Sequence, residues 1–276
     1  MLYLCATPIG NLGDISARCI EILNSVDLIV AEDTRHTLKL LNHFGISKPM
    51  TSYHEHNKHE KGKVLIEKLK EGKNIALVSD AGTPAISDPG EDLVALCIEN
   101  GLEVTSVPGP VAAINALILS GLPTKRFSFE GFLSTAKKKK REHLESLQND
   151  TRTLIFYEAP HKLIATLTDM LSILGDRKIA LARELTKVHE EIFRTTLAGA
   201  LAHFEETAPR GEYVIIVAGA DNSAPTAEEQ WWFGLGITEH VEECISMGMN
   251  SKEAIKEVAK ERNLPRRDVY NEYHKN

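Results

Sequence analysis

The sequence predicts an α/β protein made of two successive α/β domains and a small helical tail. Three observations carry that expectation. Short apolar strands alternate with turn-rich loops and helices five times before about Gly121, the pattern of a parallel, doubly wound sheet. Apolar strands continue from Phe127 to Gly219 but outnumber the clear crossover helices, which predicts a mixed sheet. Beyond the polar stretch Asn222 to Pro225 the pattern turns helical. We therefore expect domains over 1–121, 122–221 and 222–276, with a cleft between the first two.

The chain is organised around VSDAGTPAISDPG, Val78 to Gly90. Ile75 to Val78 deliver a buried strand into a run of Gly, Pro, Asp, Ser and Thr that cannot continue it. Open α/β sheets bind ligands at that carboxyl edge. Gly82 and Gly90 let backbone approach a ligand, Asp80, Thr83, Ser87 and Asp88 offer polar contacts, and Pro84 and Pro89 stiffen the loop. As a plain connector the same loop would use Asp88 to cap the next helix.

The other elements follow in order. Leu2 to Ala6 is a strand that opens into TPIGNLGD, with Gly10 and Gly13, before a helix from Ile15. This loop matches neither the dinucleotide fingerprint nor the phosphate loop of nucleotide triphosphatases. Asp27 to Ala31 ends in Glu32, Asp33, Thr34 and Arg35, acids placed to position a hydroxyl or take a proton, or simply to start a helix with Asp33 as its cap. After the strand Met50 to Tyr53, His54, His56 and His59 lie in a polar loop without cysteine or a helical HExxH frame, so no metal is expected. Val64 to Leu69 and Glu91 to Glu99 read as helices. Val104 to Val107 leads into PGPVAAINAL, where Ala112 and Ala113 leave room for a flat ligand or for close packing.

FSFEGFL opens the second domain, and Thr135 to Glu145 carries the run Lys137, Lys138, Lys139, Lys140, Arg141, either a phosphate-binding patch or a solvated face. Thr153 to Tyr157 ends in EAPHK, and Ile179 to Ala182 ends in RELTKVHEE, crowding Arg183, Glu184, Lys187 and Glu190 at one strand end. Tyr213 to Ala218 is the last strand. In the tail, Lys252 to Lys260 and Arg266 to Tyr273 flank Leu264 and Pro265, a spacing that fits a helix-turn-helix or a small capping hairpin.

Composition bounds the partners. The 276 residues, 42% hydrophobic and 26% charged, carry a formal charge of −7, so nucleic-acid contact must come from a local patch. Four scattered cysteines in apolar contexts read as reduced core residues. The uncharged run Val104 to Thr124 is broken by Pro108, Gly109, Pro110, Gly121 and Pro123, so no membrane span is expected. With no secretory signal in view, the cytoplasm is the expected location.

ATPIGNLGD, AEDTRHT, YHEHN, VSDAGTPAISDPG, VPGP, EGFL, FYEAPHK and ARELTKVHEE, in this order from Leu2 to Gly219, resemble the ribosomal RNA small subunit methyltransferase I family of the tetrapyrrole methylase superfamily. Ser134 and Thr195 depart from the family's pattern, outside the presumed cofactor loops. The resemblance implies the class III methyltransferase fold, two α/β domains in a homodimer, with S-adenosylmethionine in the cleft. It also implies 2'-O-methylation of a cytidine ribose in the decoding region of 16S ribosomal RNA, either free or in the assembled small subunit. Carried over by motif, Ile9, Gly10, Asp80, Gly82, Thr83, Ala112, Phe156, Tyr157, Ala182 and Gly211 would hold the cofactor. Glu32, Asp33, Glu184 and Lys187 are the candidates for the group that takes the hydroxyl proton. Arg35, His54, Lys137 to Arg141, Arg266 and Arg267 are the expected RNA contacts. The alternatives are a methylase of the same superfamily acting on a tetrapyrrole-like small molecule and a non-catalytic ribosome assembly factor.

Overall fold

A computed structural model describes residues 1–221, 231–262 and 264–275, which fall into two compact units, 1–221 and 222–276. The polar stretch Asn222 to Pro225 lies outside the described residues.

The first unit contains two five-stranded sheets. In the first, β1 (Leu2–Cys5), β2 (Leu28–Ala31), β3 (Met50–Ser52), β4 (Ile75–Val78) and β5 (Val104–Val107) run parallel in the order β3-β2-β4-β1-β5. The inner strands β1, β2 and β4 are largely apolar on both faces because both are covered. Cys5, Ile29, Ala31 and Val78 pack with residues of α1 (Ala17–Ser25) and α2 (Thr34–His43). Leu2, Val30, Ile75 and Leu77 pack on the other face with α3 (Lys58–Lys70) and α4 (Gly90–Glu99). The helices after β1 and β4 leave on opposite faces of adjacent strands, so their loops diverge and open a crevice.

The second sheet is mixed. Its strands β6 (Phe127–Phe132), β7 (Thr153–Glu158), β8 (Lys178–Arg183), β9 (Glu191–Thr196) and β10 (Tyr213–Val217) lie in the order β6-β7-β10-β8-β9, and only the β6–β7 pair is parallel. Leu154, Phe156, Leu181 and Ile215 share one core with α7 (Pro160–Leu174) and α8 (Leu197–Glu206). The opposite face is covered by α5 (Ala112–Ser120), whose Ala113, Ala116 and Leu117 pack on Ile155, Ala180 and Ile216. Sequence order assigned this helix to the first domain; in space it covers the second sheet, and the loop before it brings β5 of the first sheet up to that face.

Two helices differ from expectation. α3 begins six residues before Val64, because its first turns are polar; Gly62 inside it lets Leu96 pack close, its Cδ1 lying 2.9 Å from where a Cβ would be. α6 (Lys137–Ser146) has the expected place, but three of its five cations are paired with acids.

Among its described residues the second unit holds the short helices α9 (Ile237–Ser246), α10 (Ser251–Glu261) and α11 (Arg266–Tyr273), packed around Val241, Cys244, Ala254, Ile255, Val258 and Val269. Its His240 is fully buried, with the Trp231 and Trp232 rings 4.7 and 5.2 Å away. Arg262 Nε donates to His240 Nδ1 (3.0 Å), and Glu261 Oε2 lies 2.9 Å from Nε2.

Candidate active site

The loops after β1, β4 and β5 are laced together. Thr7 and Gly82 exchange backbone hydrogen bonds (2.9 and 3.1 Å), Thr7 Oγ1 donates to the Ser79 carbonyl (3.1 Å), and Thr83 Oγ1 donates to the Pro110 carbonyl (3.0 Å). Gly82 has φ +87°, a left-handed conformation, and an added Cβ there would meet Ile9 Cγ2 at 3.2 Å. The loop after β8 closes over from the second sheet. At Gly10 a Cβ would sit 2.5 Å from Lys187 Cγ and 2.6 Å from the Leu185 carbonyl, so only glycine admits that loop.

Between these loops is a cavity of about 470 Å³. Ile9, Ala112, Tyr157, Ala182 and Val214 give it apolar walls, Glu32, Asp80 and Asp88 an acidic side, and Glu184 and Lys187 an ion pair (3.1 Å). Among the described residues, the four non-glycine residues with left-handed backbone are Ala85, Ser87, Glu184 and Thr186, and all lie in the two loops that line this cavity. Each such residue costs of order 1–3 kcal/mol and persists only where its surroundings enforce it, a condition typical of ligand sites.

Tyr157 is fixed from two sides. Its hydroxyl accepts from Ala113 N at the start of α5 (3.2 Å), and the Phe129 and Phe132 rings pack 5.0 and 5.5 Å away. Burial raises its phenol pKa.

The acids differ sharply. Asp33 caps α2, accepting from Arg35 N (2.8 Å) and from the Arg35 guanidinium (2.8 and 3.1 Å), and these bonds hold its carboxyl well below the usual range. Asp88 accepts from Ala85 N (3.0 Å) and Gly90 N (2.7 Å), bracing the loop before α4, while burial raises its pKa. Glu32 lines the cavity, and its carboxylate bonds to no described residue. Burial, then repulsion from Asp80 and Asp88, raises its pKa, and His54 opposes the shift. Asn57 holds His54 in place: its Oδ1 accepts from His54 N (2.9 Å), and its Nδ2 lies 3.2 Å from the ring Nε2. The ring Nδ1 is buried and has no partner among the described residues.

The expected site residues therefore divide. Ile9, Asp80, Ala112, Tyr157 and Ala182 line the cavity with Glu32, Glu184 and Lys187. Gly10, Gly82, Thr83 and Gly211 shape its loops without lining it; an added Cβ at Gly211 would meet Glu184 Oε1 at 2.8 Å. Phe156 is an exception in its side chain: the alternation that turns Tyr157 to the cavity turns the Phe156 ring into the opposite core, fully buried. Asp33 is another, its carboxylate being committed to a cap and to Arg35. That pairing also occupies Arg35.

The lysine run does not form one positive face. Lys140 is buried against α7, with Nζ 2.8 Å from Asp169 and 2.9 Å from Thr166 Oγ1. Arg141 pairs with Glu145 (2.7 Å) and Lys138 approaches Glu142 (3.8 Å), because helical periodicity sets a glutamate four residues on. Lys137 and Lys139 keep free ammonium groups among the described residues. In the second unit, Arg266 donates to the Lys252 carbonyl (3.4 Å) and Arg267 is exposed. Ser87, Glu158, Arg183, Glu212 and Tyr213 also line the cavity, although family motifs gave them no cofactor role. Their places at the strand ends were the available signal.

The family model for Tetrapyrrole (Corrin/Porphyrin) Methylases matches residues 1–201. The chain belongs to the tetrapyrrole methylase family. It is a methyltransferase, and its methyl donor is S-adenosylmethionine. Proteins named "Ribosomal RNA small subunit methyltransferase I" are similar to it over nearly its whole length. The one from Halalkalibacterium halodurans is 54% identical over 99% of this chain and 94% of its own, and that from Bacillus subtilis 52% identical over the same shares. The one from Thermotoga maritima is 47% identical over 220 residues, which are 80% of this chain and 99% of its own. Among solved structures, diphthine synthase (TM-score 0.60, 14% identity, 79% of this chain and 89% of that one) and the methyltransferase CobJ (TM-score 0.59, 18% identity, 79% and 94%) share the fold. The cavity suits the tetrapyrrole methylase donor. Glu32 and Asp80 offer negative charge for its cationic groups, apolar walls can take the adenine, and glycine turns bring backbone close.

Proposed function

We propose that this enzyme transfers the methyl group of S-adenosylmethionine to the 2'-hydroxyl of a cytidine ribose in the decoding region of small-subunit ribosomal RNA. The observation that carries the substrate is identity of about half the residues, over nearly the full chain, to relatives bearing the small-subunit ribosomal RNA name. The nucleotide and the 2'-position rest on the motif resemblance.

S-adenosylmethionine supplies an electrophilic methyl group on a positively charged sulfur. The chain's task is to place that group in line with the hydroxyl oxygen and exclude water. Ile9, Asp80, Ala112, Tyr157 and Ala182 hold the donor, and the Glu184–Lys187 pair closes the loop over Gly10. Glu32 takes the hydroxyl proton as the methyl carbon passes from sulfur to oxygen, the C–S bond breaking as C–O forms and a neutral thioether leaving. It is the candidate whose carboxylate faces the cavity unpaired, whereas Asp33 serves Arg35 and Glu184 serves Lys187. A raised pKa makes it a better proton acceptor while ionised.

The working form we assign is a homodimer; Ile114 and Ile118, exposed on α5, offer it apolar surface, and light scattering of the protein in solution decides it. The substrate is tested by supplying labelled donor with small-subunit RNA and, separately, with a tetrapyrrole. Label in RNA alone is expected. Label in the tetrapyrrole alone would overturn the reading.

A further inference from the structure

Three of the five α6 cations are paired, and a second concavity offers a further cation together with aromatic rings. This groove, of about 450 Å³, opens at the same edge of the second sheet but on its other face: Leu181 lines it, while the next residue, Ala182, lines the methyl-transfer cavity. Arg183 and Tyr213 line both. The two spaces thus share two lining residues.

The groove has aromatic walls and a rim of both charges, Arg183 and Arg210 beside Glu191 and Glu206. The Phe193 and His203 rings lie 4.7 Å apart on one side, and the Phe204 and Tyr213 rings 6.1 Å apart. The Arg183 guanidinium is held by Glu191 (2.6 Å) and helps to shape the wall. Arg210 is exposed. Its backbone N–H donates to Tyr213 Oη (3.3 Å), and its guanidinium bonds to no described residue. Aromatic faces, a free guanidinium and a nearby apolar floor are the combination that binds an unstacked nucleotide, the base on the rings and the phosphate on the cation.

We infer that this groove seats a nucleotide of the RNA strand adjacent to the one methylated, its base against the Phe193–His203 wall and its phosphate on Arg210. The inference rests on the ribosomal RNA reading. It makes the groove a determinant of which nucleotide reaches the cleft, since a strand anchored there enters past Arg183 and Tyr213.

The test uses Arg210→Ala and His203→Ala in the full-length enzyme, both changes at exposed side chains. Methyl transfer to small-subunit RNA is measured over RNA concentration and salt, with S-adenosylmethionine affinity measured in parallel. Each variant should raise the KM for RNA about tenfold while leaving kcat and cofactor affinity near wild type. Arg210→Ala should also reduce the logarithmic salt slope of RNA binding by about one, Arg210→Lys should restore it, and His203→Ala should leave it unchanged. Wild-type KM in both variants would overturn the groove, and so would a KM rise accompanied by lost cofactor affinity, which would mark both residues as structural. If the wild-type enzyme itself gives RNA no label, the ribosomal RNA reading fails first and the groove with it.

Discussion

Glu32 and Asp33 are neighbours in sequence and opposites in environment. A one-residue step at the end of β2 turns Glu32 into the cavity and Asp33 outward to start α2. Replacing Glu32 by Gln should lower kcat about 10²- to 10⁴-fold with S-adenosylmethionine still bound, as expected for loss of a proton acceptor. Asp33→Ala should instead leave kcat intact and cost about 1 kcal/mol of stability through the lost cap. Isothermal titration, single-turnover kinetics and denaturant unfolding separate the two outcomes; a catalytic defect in Asp33→Ala alone would reverse the assignment. Because burial and two acids raise the Glu32 pKa, the acidic limb of the rate profile should lie above the ordinary carboxylate range and vanish in Glu32→Gln.

Among the elements, α6 shows how a sequence run misleads. Five consecutive cations read as a patch, yet a helix spreads them around its axis, and three of the five meet Glu142, Asp169 or Glu145. Lys140→Ala should therefore lower thermal stability, because it leaves Asp169 and the Glu158–Thr166 hydrogen bond without their cation. Paired replacement of Lys137 and Lys139 by Ala should leave stability unchanged and flatten the salt dependence of RNA binding. A Lys140→Ala protein as stable as wild type, with a flattened salt slope, would contradict this division. The strands and their loops were legible from apolar runs stopped by Gly and Pro, and the mixed second sheet from its shortage of helices. The face each residue takes was not. Phe156 and Tyr157 share one strand, and only the packing of α5 and α7 on opposite sides of it decides which ring reaches the cavity. The partner of α5 was equally hidden, since an uncharged helix carries no polar stripe to say which sheet it covers. The groove beside Arg210 escaped notice because its aromatic residues come from β9, α8 and β10 and meet only in the fold.

At the scale of the whole molecule, the methyl-transfer machinery and the helical tail are separate units. The Thermotoga maritima relative is matched over 99% of its own length by 220 residues, 80% of this chain. The tail has its own sensitivity to acid. Burial and the Arg262 charge hold the pKa of His240 below its usual 6.5, while Glu261 opposes the shift. The unfolded tail therefore binds a proton more readily than the folded one, so stability is complete above about pH 6.5 and falls as pH drops below it. The chain's two tryptophans both lie against His240, so their fluorescence follows this unit. Its melting temperature should fall between pH 7.5 and 5.5, and a melting temperature independent of pH across that range would contradict the assignment.

The most direct test of the account joins the donor, the cleft and the RNA. Small ribosomal subunits from cells lacking this enzyme would be incubated with labelled S-adenosylmethionine and either wild-type protein or Glu32→Gln, and the labelled position mapped by resistance to alkaline cleavage. The account predicts label at a single cytidine 2'-oxygen with the wild-type enzyme and almost none with Glu32→Gln. Label on a base, or equal transfer by both proteins, would contradict it.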